Sequence, residues 1–261
     1  MQAKFENLAQ ALAKAWREGA SVPAPAADVA PQSRADAFAI QDRMAEILGD
    51  RCVGWKVAGA IPAFQRMEGL DGPYVGRLFA NRHHASPAQL PAASFMRCKV
   101  ECEFAFRFKA MVRARKEPYV RSELEPALIL HPGLEVTGRR YAAIPGSRKL
   151  TVYDIIADNG AGGAYVEGTG IEDWTRIDFS AVSIDARIEQ GEPIQNFTGE
   201  YRRDPVEILV ETVNELSARG IDVSQGDLMS TGAVTLPTQM GPGQTFIARF
   251  GDLGTLRLSF G

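Results

Sequence analysis

The chain is poor in cysteine and histidine, with three of each among its 261 residues. The cysteines, Cys52, Cys98 and Cys102, form no Cys-x-x-Cys pair, and an odd number cannot complete a disulfide framework. We therefore expect reduced thiols that are buried in a cytoplasmic protein. No Gly-x-Ser-x-Gly motif surrounds a candidate nucleophile, and the chain has neither a P-loop nor a dinucleotide-binding fingerprint.

Long apolar runs and basic clusters are missing as well. No segment approaches the stretch of about 18 apolar residues that a membrane-spanning helix needs. Residues 1–7 lack the apolar core of a signal peptide. The formal net charge is −3 and no Lys/Arg-rich run occurs, which disfavours binding to nucleic acid or to an anionic membrane. We expect a cytoplasmic protein that binds neither.

Hydrophobic periodicity and capping residues predict helices at the start and near the end of the chain. Apolar residues at helical spacing indicate a helix over residues 4–18. A second helix is expected between Ser33, as its N-cap, and Gly49, as its stop. A third is expected after Asp204 and Pro205. Strands are predicted at residues 52–58, 100–108, 127–136, 152–156 and 179–188, with a hairpin of 244–250 and 255–260.

The strand over residues 100–108 carries the strongest local signal. Its period of two places Val100, Cys102 and three phenylalanines on one face, and Glu101 and Glu103 on the other. Two neighbouring carboxylates repel each other, whereas a hard divalent cation between them would make their proximity favourable. The alternative is the solvent-facing side of an amphipathic strand, which is the commoner meaning of an isolated Glu-x-Glu.

Three further residues are candidates for the same site. Glu135 ends an apolar run, where it is either a surface residue at a strand end or a buried group that needs a partner. Lys56 lies in an apolar strand, and it either extends to solvent or meets an anion. Asp158 begins an Asp-Asn-Gly sequence, which is either an ordinary turn or a group that orients Lys56 or a ligand. Five glycines between residues 160 and 170 indicate a close-packed turn or a backbone-lined site.

The order of these motifs resembles the fumarylacetoacetate hydrolase superfamily. The closer likeness is to its 2-keto-4-pentenoate hydratase and 4-oxalocrotonate decarboxylase branch, and it runs over nearly the whole chain. The resemblance implies an α+β fold with a helical region over residues 1–50, a catalytic domain with a mixed β-roll core over residues 51–261, and a homo-oligomer. The motifs are Gly54-Trp55-Lys56-Val57, Glu101-x-Glu103, Leu134-Glu135-Val136, Ala157-Asp158-Asn159 and Ser230-Thr231-Gly232.

Carried over position by position, the resemblance implies a set of site residues. Glu101, Glu103 and Glu135 would bind Mg²⁺ or Mn²⁺. Lys56 would be the active-site lysine, meeting the substrate's charge or transferring a proton, a role that partial burial favours by lowering its pKa. Asp158 matches an aspartate of the family motif and is predicted to be catalytic with Lys56.

Two positions depart from the pattern of the branch. Hydratases often have Pro-Asp-Phe-Gly after the lysine strand, whereas this chain has Pro73-Tyr74-Val75-Gly76. Tyr74 is therefore the predicted catalytic replacement for the acid, although a phenol with a pKa near ~10 is a poor base at neutral pH. The family motif Asp-Asn-Ala-Ser is here Asp158-Asn159-Gly160-Ala161, so Ala161 stands in place of the serine and its hydroxyl is lost.

The resemblance implies a metal-dependent lyase that acts on small 2-oxo acids. The leading hypothesis is a hydratase of a 2-hydroxydienoate. A decarboxylase of a 2-oxo-enedioate and an acylpyruvate-type C–C hydrolase are alternatives, and the hydrolase would need a His/Glu pair that the sequence does not locate. A protein of another class, which binds 2-oxo acids without turnover, is the remaining alternative because Tyr74 and Ala161 replace polar groups.

Overall fold

The structure is a computed structural model that describes residues 3–142 and 144–261. The described residues form six α-helices and twelve strands. The helices are α1 (Ala3–Glu18), α2 (Arg34–Leu48), α3 (Pro62–Glu68), α4 (Arg121–Leu124), α5 (Val152–Ala157) and α6 (Pro205–Ala218). The strands are β1 (Cys52–Ala58), β2 (Tyr74–Phe79), β3 (His83–Ala85), β4 (Ala88–Leu90), β5 (Lys99–Phe108), β6 (Leu128–Thr137), β7 (Gly162–Glu167), β8 (Ile184–Ile188), β9 (Leu228–Ala233), β10 (Thr238–Gln239), β11 (Thr245–Phe250) and β12 (Thr255–Phe260).

The strands form two sheets. The larger sheet has the order β2-β1-β9-β5-β6-β7-β3, and β10 pairs with the start of β5. Its β1–β9 and β3–β7 pairs are parallel and its other pairs are antiparallel, so the sheet is mixed. The smaller sheet has the order β4-β12-β11-β8. The predicted α+β class with a mixed β-roll core is confirmed.

The three longest predicted helices are present, and local side chains explain where they begin and end. Ser33 caps α2 by accepting a hydrogen bond from the Asp36 backbone N at 3.1 Å. Gly49 ends α2 in the left-handed conformation, with φ of 66°. Asp204 caps α6 by accepting from the Val206 backbone N at 2.8 Å. These signals lie within a few residues of each helix end, which is why the sequence alone predicts them.

Two predicted strands are wrong or too long. Residues 152–156 belong to the helix α5, because Asp154 accepts a hydrogen bond from the Thr151 backbone N at 2.7 Å and stabilises a helical first turn. A short apolar run fits a buried helix as well as a buried strand, so its hydrophobicity did not distinguish the two. The strand predicted over residues 179–188 begins only at Ile184.

The helices α1 and α2 precede the first strand and pack on the larger sheet. Gln41 of α2 donates from Nε2 to the backbone oxygens of Val75 on β2 and Ile156 on α5. The boundary at residue 50 stays a prediction. The thiols of Cys98 and Cys102 are buried and unpaired in disulfides. None of the described helices combines the length and apolar character needed to cross a membrane.

Candidate metal and active site

Three carboxylates meet on one face of two paired strands. Glu101 and Glu103 lie on β5 and Glu135 lies on β6, and the antiparallel register places Glu101 directly opposite Glu135. One oxygen from each side chain lies within 4.8 Å of the others. Like charges that are directly opposite on neighbouring strands destabilise a sheet. The sheet therefore holds an acidic triad, here Glu101, Glu103 and Glu135, that needs a compensating charge.

Burial makes this need stronger. Glu103 is 0% exposed and Glu135 is 1% exposed, so the surface alternatives for both glutamates are wrong. Burial and the charges of Glu135 and Glu101 raise the pKa of Glu103 well above its usual range. Burial also raises the pKa of Glu135 to about 7, against the opposing charge of Lys56.

The chemistry of these side chains fits a hard divalent cation. Both carboxylate oxygens of Glu103 are buried, and neither has a hydrogen-bond partner of good geometry among the described residues. Buried carboxylate oxygens without donors are costly, because water is excluded and nothing replaces it. Mg²⁺ and Mn²⁺ prefer oxygen ligands of this kind. The acidic triad is thus a suitable set of ligands for such an ion.

Lys56 on β1 lies next to the acidic triad. Its Nζ donates to the Gly160 backbone oxygen at 2.9 Å and lies 3.1 Å from Glu135 Oε1. Burial by itself lowers the pKa of Lys56, but the charge of Glu135 and its acidic neighbours outweighs burial and raises the pKa. The expectation of a lowered pKa is therefore wrong, and Lys56 is a buried ammonium group fixed by two acceptors.

Gly160 is required at the position that receives this ammonium group. Its φ of 62° lies in the left-handed region, which strains residues that carry a Cβ. A Cβ there would also lie 3.3 Å from Lys56 Cδ. The glycine-rich segment is therefore a close-packed turn whose backbone contacts a functional side chain, as the sequence indicated.

Tyr74 on β2 lies on the other side of Lys56. It pairs with Ala58 across the β1–β2 ladder, and its ring packs over Gly59, where a Cβ would lie 2.9 Å from Tyr74 Cε1. Burial raises the pKa of Tyr74, although the charge of Lys56 opposes the shift. Tyr74 is consequently a neutral phenol at physiological pH, able to donate a hydrogen bond or a proton.

Asp158 does not join this group. It is fully buried, its carboxylate forms an ion pair with the Arg140 guanidinium, and it accepts from the Arg140 backbone N at 2.8 Å. Arg140 also donates to the Gly162 backbone oxygen at 2.8 Å. The expected contact between Asp158 and Lys56 is wrong: Asp158 holds Arg140 and the turn before β7. A catalytic role for Asp158 stays a prediction.

A cavity opens beside the acidic triad and has two compartments of different chemistry. The polar compartment has a volume of about 500 Å³ and the apolar compartment about 260 Å³. The two share a wall formed by Ala58, Phe64, Tyr74, Glu101 and Pro237.

Sequence reasoning missed the basic residues of the polar compartment. Arg97, Lys99 and Arg139 line it together with Lys56. Arg139 follows Glu135 by four residues, and this proximity in the sequence was the available signal. Lys99 directly precedes β5's alternating residues, but a basic residue at a strand end is too common to indicate a site.

The histidines lie elsewhere. His83 Nε2 is 2.9 Å and His131 Nδ1 is 2.8 Å from the carboxylate of Glu167, which also pairs with Arg107. None of these four residues lines either compartment of the cavity. The His/Glu pair that a C–C hydrolase would need is therefore present in the fold but not at this cavity.

Comparison with known proteins agrees with this arrangement. No family model matches the chain. The chain is 27% identical over 260 residues to a 2-keto-4-pentenoate hydratase from Paraburkholderia xenovorans (strain LB400), covering 98% of this chain and 94% of that protein. Its fold is similar to 4-oxalocrotonate decarboxylase from Pseudomonas putida G7 complexed with magnesium and adipate, with a TM-score of 0.87, 20% identity, and coverage of 100% and 98% of the two chains.

A more distant fold relative is fumarylpyruvate hydrolase from Pseudomonas aeruginosa in complex with Mn²⁺ and pyruvate. Its TM-score is 0.56 at 19% identity, covering 81% of this chain and 89% of that chain. The similarity to the hydratase and to the decarboxylase spans nearly the whole chain, and the resemblance that the motifs predicted is confirmed. The chain is an enzyme that is similar over nearly its whole length to 2-keto-4-pentenoate hydratases, and it shares the fold of 4-oxalocrotonate decarboxylase.

Proposed function

We propose that the protein is a divalent-metal-dependent hydratase that adds water to a 2-hydroxydienoate. The observation that carries the proposal is the buried acidic triad with the ammonium group of Lys56 beside it, at the edge of a cavity. The similarity to 2-keto-4-pentenoate hydratases supports this reaction class.

The acidic triad would hold Mg²⁺ or Mn²⁺. Neither carboxylate oxygen of Glu103 has a hydrogen-bond partner of good geometry among the described residues, and fold relatives are complexes with magnesium and adipate or with Mn²⁺ and pyruvate. When bound, such a cation polarises the 2-oxygen of a chelating 2-oxo acid as a Lewis acid. All three ligands lie on rigid strands of one sheet, which keeps them preorganised.

Lys56 would bind negative charge on the substrate. The Gly160 oxygen and Glu135 hold its ammonium group in place before substrate arrives, so little reorganisation is needed when charge develops on the substrate oxygen. Its raised pKa keeps it charged at physiological pH.

Tyr74 would supply the proton that hydration requires. Adding water across a carbon–carbon double bond places a proton on one carbon and a hydroxyl on another. Tyr74 is a neutral phenol that lines both compartments of the cavity, so it can donate its proton to the substrate's carbon chain. The water that adds its hydroxyl to the other carbon would return its remaining proton to the phenolate, which restores the phenol. Tyr74 would thus replace the acidic residue of the family pattern, as the sequence predicted, in the role of a proton donor.

An assay for hydration of 2-hydroxypenta-2,4-dienoate tests the proposal, with the reaction monitored through the decrease in absorbance of the diene. We expect activity with Mg²⁺ or Mn²⁺, loss of activity with a chelator, and recovery when the cation returns. Glu103→Gln should be inactive, whereas the exposed control Glu117→Gln should keep wild-type activity. Equal activity of wild type and Glu103→Gln would overturn the metal site, and absence of hydration by the metal-loaded wild type would overturn the reaction.

Decarboxylation of a 2-oxo-enedioate is the second candidate. The cations Arg97, Lys99 and Arg139 in the polar compartment favour it, because they suit a substrate with two carboxylates. Release of CO₂ from 2-oxohex-3-enedioate without hydration of the dienoate would support this reaction and overturn the first. A homo-oligomer, which the resemblance implies, also remains a proposal that light scattering would test.

A further inference from the structure

The two compartments of the cavity indicate how the substrate is oriented and what its far end is made of. Glu101 and Tyr74 line both compartments, so a substrate bound at the acidic triad lies where they meet. Resting on the proposed function, we infer that the apolar compartment, with Phe197 and Tyr201 in its lining, binds the uncharged tail of the 2-oxo acid and selects substrates by the length of that tail.

The polar compartment would take the carboxylate end. Arg97, Lys99 and Arg139 line it and are exposed, and none of them forms an ion pair or a side-chain hydrogen bond with another described residue. Together with Lys56 they place four cationic groups on one side of Glu101. A carboxylate turned to this side is stabilised by them, and their field draws anions toward the opening.

The remaining carbons of the substrate then extend to the opposite side. Apolar side chains dominate that compartment. Its charged lining residue besides Glu101 is Arg203, whose guanidinium already donates to the Ala60 backbone oxygen and to Glu211 at 3.0 Å each. A carboxylate placed there would lose its hydration and find few free donors. An alkyl or alkenyl tail would instead gain from leaving water. The apolar lining includes Phe64, Phe197, Tyr201, Ile208 and Val234.

Phe197 and Tyr201 form the outer rim of the apolar compartment. Their ring centroids are 6.2 Å apart with the planes tilted by 39°, and Tyr201 is 47% exposed. Both lie between β8 and α6, outside the sheet that holds the acidic triad. They are therefore specificity-determining residues that can change without disturbing the metal ligands.

Binding of a series of 2-oxo acids in the presence of Mn²⁺ tests the inference by titration calorimetry. We expect the Kd to fall about fourfold for each methylene added from 2-oxobutanoate to 2-oxohexanoate, from the transfer energy of one buried CH₂ group. The matched dicarboxylate, 2-oxoadipate, should bind about tenfold more weakly than 2-oxohexanoate. Equal affinities along the series, or tighter binding of 2-oxoadipate, would overturn the inference.

This readout separates the inference from the proposed function. Length-dependent binding without hydration of any dienoate would refute the hydratase and leave the apolar tail site standing. Hydration of the dienoate with no dependence of binding on tail length would support the hydratase and refute the apolar tail site. Failure of every 2-oxo acid to bind would overturn both.

Variants assign the two ends of the substrate. Phe197→Ala should weaken binding of 2-oxohexanoate about tenfold and change that of 2-oxobutanoate less than twofold. Tyr201→Ala, at a more exposed residue, provides the same test should the first variant fold poorly. Arg139→Gln should weaken all members of the series by a similar factor. Met111→Ala, at an exposed position away from the cavity, is the matched control and should leave every Kd unchanged.

Discussion

Replacing Glu103 by glutamine should have opposite effects on stability in the absence and presence of a metal ion. Oxygens of the acidic triad lie within 4.8 Å of one another. Two unit charges at that separation repel by about 3.5 kcal/mol at an effective dielectric constant of about 20. Protonation relieves part of this repulsion. We therefore expect metal-free Glu103→Gln to be about 2 kcal/mol more stable than the metal-free wild type at pH 8.

The pH dependence of this difference follows from the pKa of Glu103. Burial and neighbouring carboxylates raise that pKa above the unfolded value, which is about 4.3. The folded protein then binds more protons than the unfolded chain, so its stability falls as pH rises above the unfolded value. The advantage of the variant should be small at pH 5 and should grow toward pH 8.

Saturation with Mn²⁺ should reverse the order. A ligand at a hundred times its Kd stabilises the folded state by about 2.7 kcal/mol, and the variant lacks one of the three ligands. The assay is urea unfolding followed by tryptophan fluorescence, with chelator and with Mn²⁺, at pH 5 and pH 8. The exposed control Glu117→Gln should stay within about 0.5 kcal/mol of the wild type throughout. A metal-free variant that is less stable than the wild type at pH 8 would refute the reasoning.

Two other substitutions give separate predictions. Lys56→Met should lower kcat for hydration by at least about 10²-fold and reduce metal-free stability by about 3 kcal/mol, because Glu135 loses its buried partner; unchanged kcat would contradict the role given to Lys56. Burial raises the pKa of Glu167, but hydrogen bonds from His131, His83 and Arg107 outweigh burial and hold this pKa well below its usual range. Glu167→Gln should therefore cost about 2 kcal/mol at pH 7, with the difference shrinking as acid titrates the wild-type carboxylate, and kcat/KM should be unaffected. An acid unfolding series measures the first effect, and loss of hydration would place Glu167 in the site after all.

Local structure was predictable where neighbouring residues determine it. Ser33 and Asp204 begin their helices by capping backbone groups two or three residues away, so no distant contact is needed. The alternation that separates Glu101 and Glu103 from the apolar residues of β5 is equally local. The strand prediction for residues 152–156 was wrong although the determinant is local. Asp154 stabilises the first turn of a helix there, and the apolar content of the run does not reveal this.

The sequence by itself determined that Glu101 and Glu103 share a face of one strand, and it predicted Glu135 and Lys56 as candidates for the same site. Only the tertiary structure decided that this face is buried, that Glu135 lies opposite Glu101, and that Lys56 meets the backbone of Gly160, 104 positions away. It also paired Asp158 with Arg140 instead of Lys56. The physical reason is that burial, charge proximity and pKa depend on groups brought together by strand register and packing, and these are set by the whole core and not by the neighbours of any one residue.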